Sequence, residues 1–119
     1  MLLVFQPQFV PAIREGSKTQ TVRRTMDLEV GDPLELRYLE APQKCNAIFK
    51  TTCRAKQPIE ISKEGALRID GVCIDPEDED SFARSDGFLN KSQLLDFMKK
   101  TYGLPFEGHV IHWPHPHVY

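Results

Sequence analysis

A chain of 119 residues fits one domain, residues 1–119, and can bury about two-thirds of its surface. Apolar residues make up 40% and charged residues 27%, which excludes disordered and fibrous classes. The formal net charge of −2 gives no global reason to expect a polyanionic partner.

Leu2 to Phe5 is a short apolar run suited to a buried strand. Phe9 and Ile13, with Val10 and Ala12 between them, have the spacing of one helical face that ends at Gly16. Thr19, Thr21 and Arg23 then alternate with Gln20, Val22 and Arg24, a period-two strand pattern starting at the helix exit. Gly31-Asp32-Pro33 reads as a turn, and Leu34 to Leu39 as a half-buried strand that breaks at Ala41-Pro42.

Cys45 to Ile61 leans to β structure, with an interruption expected at Pro58. Asp70-Gly71 joins Leu67-Arg68-Ile69 to Val72-Cys73-Ile74, a strong signal for a tight hairpin. The run from Asp75 to Asp80 has no apolar content and is expected to be a solvated loop. Its carboxylates lack the spacing and the glycine of a calcium-binding loop. Asn90 is placed to cap a helix through Leu94, Leu95, Phe97 and Met98, with Gln93 reaching back and Gly103 as the stop. His109 to Trp113 alternates as a last strand. Many short strands with few helices predict an α+β fold, a β-barrel of about five or six strands with flanking helices.

No apolar stretch approaches the roughly 20 residues that cross a bilayer. The opening MLLVFQPQF lacks the basic segment and cleavage site of a leader, so a cytoplasmic protein without a membrane partner is expected. Cys45, Cys53 and Cys73 are odd in number with no CxxC spacing, which argues against disulfides and a zinc ribbon. His109, His112, His115 and His117 invite a metal reading, but the interleaved prolines and terminal position favour an incidental tail. No metal or cofactor is predicted, and a monomer is favoured.

Charge is uneven. Residues 1 to 26 carry Arg14, Lys18, Arg23 and Arg24 against Glu15 alone, while residues 60 to 86 hold nine acids against Lys63, Arg68 and Arg84. The segment from Gly16 to Arg24 therefore gathers an amine, hydroxyls and guanidinium groups within nine residues. Arginine offers planar paired donors, and a buried lysine can lose its proton and act as a base. The competing reading is a solvated strand decorated with charge.

This segment resembles the ASCH domain, a branch of the PUA-like superfamily, whose signature is a glycine, one residue, a lysine, and an arginine five residues beyond the lysine. Gly16, Lys18 and Arg23 match it. Where that pattern often has glutamate, Thr21 stands here, and Lys18-Thr19-Gln20-Thr21-Val22-Arg23 is similar to the KTxTxR stretch of small bacterial amidohydrolases that act on N4-acetylcytidine. Ser85-Asp86-Gly87-Phe88, the helix through Phe97, Tyr102-Gly103 and Val110-Ile111-His112-Trp113 resemble the ASCH ending.

The resemblance implies a PUA-like barrel whose cleft binds RNA, a nucleotide or a modified nucleoside, with Gly16, Ser17, Arg23, Arg24 and Phe88 as ligand-binding residues. It also implies an alternative, hydrolysis of the C–N amide bond of an N4-acylated cytidine by Lys18, Thr21 and, in place of the family glutamate, Asp86. Aspartate falls about 1.5 Å short of a glutamate carboxylate, enough to matter for proton transfer. Lys18 and Thr21 can meet only if Lys18 lies in a turn, since strand side chains alternate. Asp86 before Gly87 can equally shape a turn. Phe9, Phe88 and Trp113 are candidates for stacking on a base. A ribonuclease ranks lower, for want of a placed histidine pair, and a protein-binding role would use the acidic run.

Overall fold

The computed structural model describes residues 1–24 and 27–116. Strand β1 (Leu2–Phe5) turns Leu3 and Phe5 inward and leaves Leu2 and Val4 exposed, as a period-two strand must. It runs parallel to β3 (Pro33–Ala41), which pairs antiparallel with β4 (Lys44–Thr52). A second sheet has the order β2-β8-β5-β6-β7, formed by β2 (Gln20–Arg23), β5 (Ala55–Ile61), β6 (Leu67–Ile69), β7 (Val72–Cys73) and β8 (Phe106–His112). The architecture is thus α+β, with eight strands among the described residues rather than five or six. They lie in two sheets with no ladder closing them into one barrel.

Three short helices accompany the sheets: α1 (Val10–Glu15), α2 (Glu79–Ser85) and α3 (Lys91–Thr101). Helix α3 starts as its sequence predicts. The Asn90 side chain accepts from the Gln93 amide at 3.0 Å, while Gln93 Oε1 reaches back to the Leu89 amide at 2.8 Å. Its Leu94 and Met98, four residues apart, are both fully buried. They join Leu3, Leu34, Leu36, Ile59, Ile61, Val110 and Ile111 in one core. Each such side chain contributes roughly 1.5–3 kcal/mol by leaving water.

The Asp70-Gly71 hairpin forms with both residues in the left-handed region, φ 55° and 78°, the geometry a two-residue connection of twisted strands requires.

Two expectations are corrected. Pro58 does not interrupt a strand: β5 runs through it, and the break falls at Cys53-Arg54. The Pro58 carbonyl accepts from the Asp70 amide at 3.0 Å. A strand residue's nitrogen and carbonyl face the same neighbour, so the missing N–H falls on the β6 side, where that strand gives way to its turn, and the β8 ladder loses nothing.

The acidic run is solvent-exposed as expected, apart from a half-buried Glu79, but it is not a loop. Pro76–Asp78 form a 3-10 turn leading directly into α2. Acids at a helix start are favoured by the partial positive charge of the free amides, and a proline at the first turn has no amide to waste. The apolar contribution comes from Phe82 and Ala83, just past the run.

Candidate functional site

The exit from α1 is pinned before it becomes a strand. Gly16 and Lys18 both donate their amides to the Ala12 carbonyl, at 3.1 and 3.0 Å, and Thr19 donates to Ser85 at the end of α2. Lys18 therefore lies in the turn, and its side chain is free of the alternation that would oppose it to Thr21. It is 2% exposed. Its Nζ donates to the Gln20 carbonyl at 2.8 Å and to the Asp86 carbonyl at 2.5 Å, and stands 3.8 Å from Asp86 Oδ1. The rings of Phe5 and Phe9 lie 5.5 and 5.0 Å from the ammonium, within cation–π range.

Asp86 ends α2 and is 4% exposed. The next residue, Gly87, has φ 96°, and a Cβ built there would lie 2.9 Å from Lys18 Cδ and 3.0 Å from Phe9. Only glycine lets this backbone press against the lysine stem. The turn that Asp86-Gly87 forms is also what delivers the carboxyl to the lysine.

Around these groups lies a cavity of about 160 Å³. Its aromatic wall is Phe5, Phe9, Phe88, Phe97 and Tyr102, and its polar side chains are Lys18, Thr21, Arg23, Asp86, Gln6 and Thr101. Thr21 is 6% exposed, and its Oγ1 accepts from Arg23 Nε at 3.1 Å. Arg23 gives a second bond to the Val4 carbonyl at 2.9 Å and lies 5.0 Å over the Phe5 ring. Asp86 Oδ1 is buried with no hydrogen-bond partner.

Burial dominates the electrostatics. It pushes the Lys18 ammonium down to about 8 against the pull of Asp86, and Arg23 adds to the depression. It pushes the Asp86 carboxyl up to about 6, although Lys18, Arg23 and the Gln20 side chain all favour the carboxylate. Between those values the buried pair is ionised. Shifted groups of this kind beside a cleft make the pair a functional-site candidate.

Of the residues the sequence singles out, Lys18, Thr21, Arg23, Asp86 and Phe88 meet at the cavity. Gly16, Ser17 and Arg24 do not line it. Gly16 ends α1 with His115 packed against it. Ser17 is exposed and bonds Glu15 and the Ala12 carbonyl. Arg24 bonds the Tyr102 carbonyl at 3.1 Å and stacks over the Tyr102 and Phe106 rings. Trp113 packs edge-on against Phe5 in the core rather than in the cavity, whereas Phe9 does line it.

Tyr102, Phe97 and the Lys18-binding carbonyls of Gln20 and Asp86 went unforeseen. The aromatic residues have helical spacing from Leu94 and Met98, so they read as core, and backbone acceptors leave no mark in a sequence.

His112 bonds the Gln57 amide side chain at 2.7 Å, while His117 lies outside the described residues. Among the described residues the one metal-capable grouping is Asp75, Glu77 and Asp78, all exposed and without a histidine. Cys53 is buried, and Cys45 and Cys73 are exposed. No described helix is long and apolar enough to cross a membrane. Comparison of the chain with protein-family models, with curated proteins and with solved structures gives no match.

Proposed function

We propose that this chain is a PUA-like domain of the ASCH type that binds an unpaired nucleobase, carried by a modified nucleoside or by single-stranded RNA. The observation that carries the reading is the aromatic-walled cavity into which Thr21, Arg23 and Asp86 converge beside the buried Lys18. Stacking surfaces with a few placed polar groups are how single-stranded bases are read. Its volume lies well below the roughly 300–1,000 Å³ of sites that enclose drug-sized ligands, so it suits one ring system and leaves sugar and phosphate outside.

The test is calorimetric titration with a nucleoside panel and with short single-stranded RNA, repeated with Arg23→Ala and Phe88→Ala. Binding that both substitutions weaken supports the reading, and binding indifferent to both removes it. A flat salt response assigns the affinity to the base, and a steep fall with salt assigns it to phosphate contacts.

A second reading, hydrolysis of an N4-acylated cytidine, is favoured by the opposite shifts of Lys18 and Asp86 beside the Thr21 hydroxyl. Against it, the Lys18 donors are engaged by two carbonyls and the Thr21 oxygen is engaged by Arg23. A base must reach the proton it takes. Release of cytidine from N4-acetylcytidine by the wild type, abolished in Thr21→Ala, would establish this activity; equal rates for the two proteins would remove it.

A further inference from the structure

The hydrogen-bonding state of the cavity's side chains dictates which edge of a ligand they can read. Lys18, the most obvious ligand contact in the sequence, is already engaged. Two of its three donors go to the Gln20 and Asp86 carbonyls, the third faces Asp86 at 3.8 Å, and two phenyl rings flank it. It ties the start of β2 to the end of α2, and its remaining donor stands 3.8 Å from Asp86 Oδ1, outside hydrogen-bond reach of it.

Recognition then falls to its neighbours. The Thr21 oxygen accepts from Arg23 Nε, which leaves the hydroxyl hydrogen to be given to a ligand. The Arg23 guanidinium, bonded through Nε and one terminal nitrogen, keeps further donors on the other. Asp86 supplies the opposite polarity: its Oδ1 is buried in the cavity wall without a hydrogen-bond partner. A buried acceptor left in that condition is costly and strongly selects whatever can donate to it.

We infer that the ring entering this cavity presents an N–H donor beside an acceptor, the donor to the Asp86 carboxylate and the acceptor to the Thr21 hydroxyl and the Arg23 guanidinium. That pattern is the base-pairing edge of a single-ring heterocycle, so the edge must be free of a pairing partner. The inference rests on the nucleobase reading above and specifies how the base is held. A ligand without the N–H leaves the carboxylate oxygen unmatched and sets a methyl group against it. The cavity therefore discriminates by hydrogen-bond polarity as well as by size.

The experiment uses two matched pairs at pH 7, cytidine with N4,N4-dimethylcytidine and uridine with 3-methyluridine, titrated into the wild-type chain. At least one parent binds, and its methylated partner binds about tenfold more weakly or worse. In Asp86→Asn, with its fold checked by circular dichroism, the ratio within that pair shrinks. Should that variant not fold, Thr21→Val serves, and it lowers affinity for the parent.

Methylated and parent nucleosides binding within about twofold of each other overturn the inference while leaving the nucleobase reading in place. So does a ratio that Asp86→Asn leaves unchanged, since simple size exclusion would persist without the carboxylate. No binding by any of the four removes the nucleobase reading, and the edge assignment with it.

Discussion

Replacing Lys18 with methionine keeps an aliphatic stem between Phe5 and Phe9 and removes the ammonium, which leaves the buried Asp86 carboxyl without its nearest cation. Breaking a buried pair from one side costs about 3–5 kcal/mol. The diagnostic result is its pH dependence. In the wild type, burial raises Asp86 from 3.8 to about 6, so the folded state holds this proton longer than the unfolded chain does. The stability contributed by this group falls as pH rises from 3.8, and it levels off above about 6. Without Lys18 the folded carboxyl titrates higher still, and the fall continues at about 1.4 kcal/mol per pH unit. From pH 6 to 7.5, below the wild-type Lys18 titration at about 8, the variant should lose about 2 kcal/mol relative to wild type. Urea unfolding at half-unit pH steps measures this. The double variant Lys18→Met/Asp86→Asn should run parallel to the wild type over the same range. A single variant that also runs parallel would refute the claim that these groups are buried together as an ion pair.

Two further outcomes follow from packing. A Cβ at Gly108 would stand 2.2 Å from the Arg23 carbonyl, so Gly108→Ala must push β8 from β2. It should cost about 3 kcal/mol or more in thermal unfolding, and should weaken nucleoside binding by displacing Thr21 and Arg23. Asp86→Glu adds a methylene at a position buried between the Lys18 ammonium and the cavity, at about 1–3 kcal/mol where the wall has to shift. It should not create hydrolysis of N4-acetylcytidine, because Lys18 stays bound to its carbonyls; cytidine release by that variant would show that carboxylate reach alone was limiting.

Much of the fold was legible because its signals are local. The Asn90 cap, the Asp70-Gly71 hairpin and the α1 stop at Gly16 each need only a few neighbouring residues. What stayed hidden depends on partners. Pro58 is harmless only because β6 ends beside it, and the acids after Asp75 are helical only because Phe82 and Ala83 find a core to join. The site divides in the same way. Lys18 and Thr21 share a motif, yet Lys18 and Asp86 stand 68 residues apart, and Arg24, adjacent to Arg23, turns away to Tyr102. A pattern of charges along a strand does not say which of them faces the cavity.

The contacts that withdraw Lys18 from the ligand also give the cavity its shape. The α1 exit, the start of β2 and the end of α2 converge on one ammonium and on the Thr19–Ser85 backbone bond. Gly87 is pressed against the same side chain. Loss of binding on removing Lys18 would therefore follow from collapse of the wall as readily as from loss of a contact. Thr21 differs, because its hydroxyl hydrogen is not taken up by the fold, whereas Asp86 is also the ion-pair partner of Lys18. Substitution at Thr21 separates recognition from architecture, and affinity lost there without loss of stability is what distinguishes a reading surface from a buried structural pair.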